Sequence, residues 1–99
     1  MPGRPLSLAV PKLSQAKKVG AYYVFVMRSK KTNMRYVGSS PDPQESLKRH
    51  NFGDYRATNS HRPWKLVMQE EFADKPEAVK REWFLKGEEG QKFLDGVRV

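Results

Sequence analysis

Residues 21–27 read AYYVFVM, and no other stretch limits the possible folds as tightly. The run is dense in aromatic and β-branched residues, which suit a pleated, packed surface, so it is expected to be a buried strand. The polar SKKTN that follows is turn-like, and Met34–Gly38, MRYVG, reads as a second, shorter strand. Together they predict a β-hairpin with a loop of several residues.

Two helix starts follow. Asp42 is placed to cap a helix, Pro43 suits its first position, and Glu45 three residues on completes a capping box. This helix should be short and end near Asn51–Gly53. Asp74, Pro76 and Glu77 repeat the signal for a second helix, whose apolar residues are Ala78, Val79, Trp83, Phe84 and Leu85. Between the helices, residues 53–63 read as a polar loop, and WKLVMQEEF as a third strand with Trp64, Leu66 and Met68 on one face. Gly87 and Gly90 should punctuate, leaving QKFLDGV as a last short turn of helix. The order β-β-α-β-α-(α) predicts a small mixed α/β sandwich, α+β in class, with a three-stranded and mainly antiparallel sheet.

The 99 residues make room for one small domain. We expect a flexible basic arm over 1–19, interrupted by Pro2, Pro5 and Pro11, a folded domain over 20–95 and a tail over 96–99. Without cysteine there are no disulfides or thiolate metal sites, and His50 and His61 are too few for a histidine-rich zinc site. No apolar run approaches the roughly 20 residues of a membrane span. An intracellular protein is expected, cytoplasmic or nucleoid-associated, with residues 1–19 a candidate organelle-targeting segment because they are basic and acid-free.

The net charge is +8, and its placement is informative. Arg4, Lys12, Lys17, Lys18, Arg28, Lys30, Lys31 and Arg35 all precede the first acidic residue, Asp42. A one-signed field of this kind favours a polyanion, most simply nucleic acid, though a solvated and solubilising tail has the same composition.

Three residues stand out as candidates for chemistry. Glu82 falls on or beside the apolar stripe of the second helix, where a carboxylate is unfavourable unless it is paired or binds a cation; pairing with Lys86 or Arg81 is the ordinary alternative. His50 lies one turn after Ser46, on an edge that could face a cleft; the alternative is a histidine that favours the helix dipole. Tyr36 ends in Gly38, which permits a close approach of ligand or backbone, and Arg35, Lys48 and Arg49 lie near it in the chain.

Taken together, the spacings resemble the GIY-YIG nuclease superfamily, in particular its small single-domain members, from Ala21 to Leu94. YYVFVMRSKKTNMRYVG looks like the two-strand motif that names the family, DPQESLKRHN like the helix after it, RPWKLV like the third strand, and EAVKREWFLK with GQKFL like the helix carrying the metal-binding glutamate. The resemblance implies a DNA endonuclease that uses one divalent ion, Mg2+ or Mn2+. Carried across position by position, it makes Tyr36 and His50 catalytic and Glu82 the metal ligand. In such an enzyme the basic residues Lys30, Lys31, Arg35, Lys48 and Arg49 would hold the nucleic-acid backbone. Two positions depart from the motif: Phe25 stands where a tyrosine is expected, and Ser46 where an arginine is. Arg49, one turn on from Ser46, is a candidate replacement cation but points from a different angle. An inactive nucleic-acid-binding module on the same fold is the competing expectation.

Overall fold

β1 (Tyr22–Ser29) owes its unbroken apolar run to its place in the middle of the sheet. In the computed structural model, which describes residues 20–99, Tyr23–Met27 are all buried and covered from both sides. The predicted basic arm lies outside the described residues. β2 (Arg35–Ser40) and β3 (Trp64–Phe72) flank β1 in the order β2-β1-β3, and both pairings are antiparallel. The α+β class and three-stranded sheet are as expected.

The faces of the sheet are set by alternation along β1. Val24 and Val26 point to one side and pack with Val37, Met68, Phe72, Ala78, Leu85 and Leu94. Phe25 and Met27 point to the other and pack with Trp64 and Leu66, under Tyr36 and Leu47. Trp64, Leu66 and Met68 therefore do not share a face. Val26 pairs with Met68 but Met27 pairs with Leu66, so Val67 is an extra residue in β3. This bulge breaks the alternation, and the two halves of β3 serve opposite cores.

Helix α1 (Pro43–Phe52) covers the Phe25 side. The Asp42 carboxylate accepts the Glu45 N–H at 3.2 Å, as the sequence predicted. Gly53 ends the helix at φ +93, a left-handed conformation that glycine adopts without penalty. The segment expected to be loop contains a short helix, α2 (Arg56–Asn59). Helices α3 (Lys75–Lys86) and α4 (Glu88–Gly96) cover the Val24 side. Asp74 caps α3 by accepting the Glu77 N–H at 3.1 Å.

Gly87 separates α3 from α4, but Gly90 does not punctuate. It lies inside α4, where a Cβ would sit 2.1 Å from the Phe84 carbonyl oxygen and 2.3 Å from Leu85 Cα. The glycine lets α4 fold back directly on the end of α3. The 96–99 segment does not trail away as a tail, because Val99 is 9% exposed and belongs to the same core as Leu94. Among the described residues, no helix is long and apolar enough to cross a membrane.

The buried stripe of α3 runs from Ala78 to Leu85, and two charged residues, Arg81 and Glu82, fill the turn between them. Each finds its partner on the sheet. Arg81 holds the buried Glu70 of β3 through two bonds, Nε–Oε1 at 2.8 Å and Nη2–Oε2 at 3.1 Å. Glu82 turns instead toward β2, at the other edge of the sheet. Trp83 and Phe84, read from the sequence as apolar helix residues, lie off this stripe and are exposed.

Candidate active site

At the β2 edge a cleft of about 550 Å³ opens between α1, α2 and α3. Tyr36, His50 and Glu82 all line it, although they come from a strand and two different helices. Phe25 and Ser46 line it too, so all five positions drawn from the motif meet in one place.

His50 is 5% exposed and sits between two phenol rings, with centroids 5.0 Å from Tyr36 and 4.4 Å from Tyr55. Its Nδ1 lies 2.8 Å from the hydroxyl of Thr58, itself buried in α2. That contact occupies one ring nitrogen and leaves Nε2 as the nitrogen for the cleft. Burial lowers the His50 pKa below the ordinary 6.5, so the ring is neutral at pH 7. A neutral imidazole with a fixed orientation is suited to accept a proton.

The same Thr58 takes the Trp64 indole N–H on its carbonyl oxygen at 3.0 Å. Asn51 ties α1 to β3, its side chain accepting the Trp64 N–H at 2.6 Å and donating to the Trp64 carbonyl at 3.0 Å. The wall behind His50 is thus built from residues 51–64, most of which carry no periodicity in sequence. Tyr55 and Arg56 reach the cleft from this wall and went unremarked in the sequence. A four-residue helix is too short to show a 3.6-residue repeat.

Glu82 is held in place from two sides. Ser39 Oγ donates to Oε1 at 2.6 Å, and Lys86 Nζ lies 2.8 Å from Oε2. Its side chain is 16% exposed. The pairing with Lys86 considered from sequence is therefore present. Among the described residues no cluster of three or more His, Cys, Asp or Glu side chains forms a ready-made metal cage. One accessible carboxylate nonetheless fits a hydrated Mg2+ or Mn2+, since Mg2+ keeps several waters and takes one or two carboxylates plus substrate phosphates. Lys86, with 39% of its side chain exposed, can swing aside into solvent.

The two departures from the motif have structural roles. Phe25 pairs directly with Gly38, and a Cβ on Gly38 would meet the Phe25 ring tip at 2.9 Å and the Tyr36 ring at 3.2 Å. The room that Gly38 provides is thus taken by those two rings. Ser46 Oγ donates to Ser40 Oγ at 2.8 Å, and Ser40 Oγ accepts the Asp42 N–H at 3.1 Å, which pins the first turn of α1 to the end of β2.

The five basic residues proposed to grip the backbone do not line the cleft. Arg35 points to the opposite face and pairs with Asp95 of α4, with Nη1–Oδ1 at 3.1 Å. Arg49 pairs with Glu45 at 3.4 Å and Asp54 at 3.8 Å instead of reaching past Ser46. Lys48 is exposed on α1, while Lys30 and Lys31 sit in the hairpin turn, where Lys31 Nζ donates to the Ser60 carbonyl at 3.3 Å. Among the described residues, the arginine that lines the cleft is the exposed Arg56.

A family model described as the GIY-YIG catalytic domain matches residues 21–94, the span that forms this sheet, its helices and the cleft. The chain belongs to the GIY-YIG nuclease family. It is 39% identical over 70 residues to the structure-specific endonuclease subunit SLX1 of Cryptococcus neoformans var. neoformans, covering 63% of this chain and 14% of that protein. The slx1 subunit of Aspergillus terreus is 31% identical over 90 residues, covering 83% of this chain and 23% of its own length. A UPF0213 protein of Staphylococcus saprophyticus is 35% identical over 74 residues, covering 74% of this chain and 89% of that protein. The chain thus spans less than a quarter of these SLX1 relatives but nearly all of the UPF0213 protein. No solved structure is significantly similar to it.

Proposed function

We propose that this chain hydrolyses phosphodiester bonds in DNA with the help of one divalent cation, Mg2+ or Mn2+, held by Glu82. The observation that carries the reading is the meeting of Tyr36, His50 and Glu82 in one cleft from three separate elements. His50 takes a proton from the attacking water through Nε2, its other nitrogen engaged by Thr58. Tyr36, its ring tilted against the imidazole, shapes the approach of the water and the phosphate. As the new P–O bond forms, the ester P–O bond breaks; the leaving oxygen takes a proton from solvent water and His50 returns its proton to solvent. The cation, when bound, supplies positive charge for the leaving oxygen and the phosphate. Arg56 brings the fixed charge that Ser46 does not.

The SLX1 relatives are named structure-specific endonuclease subunits, which supports a substrate recognised by its structure. The test is incubation with forked, nicked and linear DNA in Mg2+, in Mn2+ and in EDTA. Cutting that requires a metal is expected; intact DNA under every condition would sink the reading.

A second reading, a non-catalytic nucleic-acid-binding module, is favoured by Phe25 and Ser46. The two readings separate in the Phe25→Tyr/Ser46→Arg variant. On the catalytic reading, cutting by the wild-type chain is present and changes by less than about 10²-fold, the low end of what one lost transition-state contact is worth. A wild-type chain without activity and a variant that cuts would favour the module.

A further inference from the structure

Trp83 is 67% exposed, an unusual state for a side chain that folding normally covers. It belongs to neither core cluster. The other exposed aromatics of α3 and α4 have a structural role, since Phe84 and Phe93 flank the Arg81 guanidinium at 5.3 Å and 5.1 Å. The Trp83 ring instead carries the Lys86 ammonium, 5.3 Å from its centre. The same ammonium pairs with Glu82, which lines the cleft. Indole, ammonium and carboxylate therefore form one row leading from solvent to the proposed site of cutting. Lys80, one turn before Trp83, is exposed as well.

We propose that Trp83 is a stacking platform for an unpaired base beside the bond to be cut, with Lys86 facing that nucleotide's phosphate. The proposal rests on the reading of the cleft as a DNA-hydrolysing site and specifies its substrate class: DNA that is single-stranded next to the scissile bond. Bases in a duplex already stack on one another, so an exposed indole gains a partner only where a base is free. The flanking ammonium groups suit the phosphates on either side of such a base and are poorly suited to an apolar protein surface. Sequence tolerance follows, because every base offers a π-face.

The arrangement allows a direct optical test. Trp83 is exposed, and the only other tryptophan, Trp64, is 3% exposed, so quenching by a ligand in solution reports on Trp83. A forked duplex with single-stranded arms and a fully paired duplex of equal length are titrated into the protein in EDTA. The fork should quench wild-type emission and, read by anisotropy of a dye on the DNA, bind about ten-fold more tightly to wild type than to Trp83→Leu, within the range one base–aromatic stack is worth. Trp83→Phe, which keeps a ring, should recover most of that difference, and affinity for the paired duplex should not change. Equal fork binding by wild type and Trp83→Leu would overturn the proposal. So would equal quenching by fork and duplex, or a Trp83-dependent dimer in sedimentation, which would assign the indole to a second copy of the chain. Because EDTA prevents metal-dependent cutting, stacking is measured whether or not the protein is a nuclease. Fork binding through Trp83 without any cleavage in Mn2+ would sink the catalytic reading alone.

Discussion

Replacing Arg81 with alanine should destabilise the domain by about 3–5 kcal/mol, the usual cost of leaving one member of a buried ion pair alone. Glu70 is 1% exposed and lies on the core side of the sheet, so water cannot take over from the guanidinium. Arg81 grips it with two nearly parallel bonds, a geometry lysine cannot copy. The guanidinium also stacks between Phe84 and Phe93, and its loss removes the cover from both rings. For a domain of this size the change corresponds to a fall in Tm of more than about 10 °C. The double variant Arg81→Met/Glu70→Met should recover most of the loss, because no charge remains to be desolvated. Urea or thermal unfolding checks both. A cost below about 1 kcal/mol for Arg81→Ala, the level of a surface pair, would contradict this account.

The second large effect is expected at His50. His50→Ala should lower the single-turnover cleavage rate by about 10²- to 10⁴-fold, the usual contribution of a general base. The pH dependence carries a sign that follows from burial. The folded-state pKa of His50 lies below its unfolded value of 6.5, so the unfolded chain binds the proton more readily. The stability that neutral His50 contributes is fully present above pH 6.5 and is lost as pH falls toward the depressed folded value. The acid limb of the cleavage rate should likewise lie below pH 6.5, with a plateau above it. Denaturation midpoints for wild type and His50→Gln, compared at pH about 5 and about 7.5, should converge on acidification. A midpoint difference that does not depend on pH would contradict the assignment.

The parts of this fold legible from sequence are those governed by local chemistry. The β1 run, the Asp42 and Asp74 caps, the Gly53 stop and the shared helix edge of Ser46 and His50 all follow from residue type and spacing. What was missed depends on contacts distant in the chain. The bulge at Val67 exists because β3 serves two cores, and Gly90 sits inside a helix because another helix crosses it there. The ion pair of Arg81 with Glu70 joins residues whose sequence positions give no hint of each other. The site divides in the same way. Tyr36, His50 and Glu82 were accessible through motif spacing, and they meet in the cleft. Tyr55, Arg56 and Thr58 lie in a polar segment with no periodicity, and their roles appear only when α2 folds against His50. A count of basic residues likewise cannot show that Asp95, Glu45 and Asp54 engage Arg35 and Arg49 within the fold.

The two departures from the motif affect the site unequally. Phe25 preserves the aromatic slot over Gly38 and removes only a hydroxyl. Ser46 exchanges a long cation for a short link to Ser40, which moves the question of charge to Arg56 on the opposite wall.

The central claim is that the Glu82 carboxylate holds the cation on which cleavage depends. It is tested most directly by the single-turnover cleavage rate of a forked duplex across a Mn2+ titration, for wild type beside Glu82→Gln. Glutamine keeps the shape and a hydrogen bond with Ser39 while removing the charge. The account predicts a saturable dependence on Mn2+ in wild type and a rate lower by about 10²-fold or more in Glu82→Gln at every concentration. Equal rates in the two proteins, or cleavage that persists in EDTA, would contradict it.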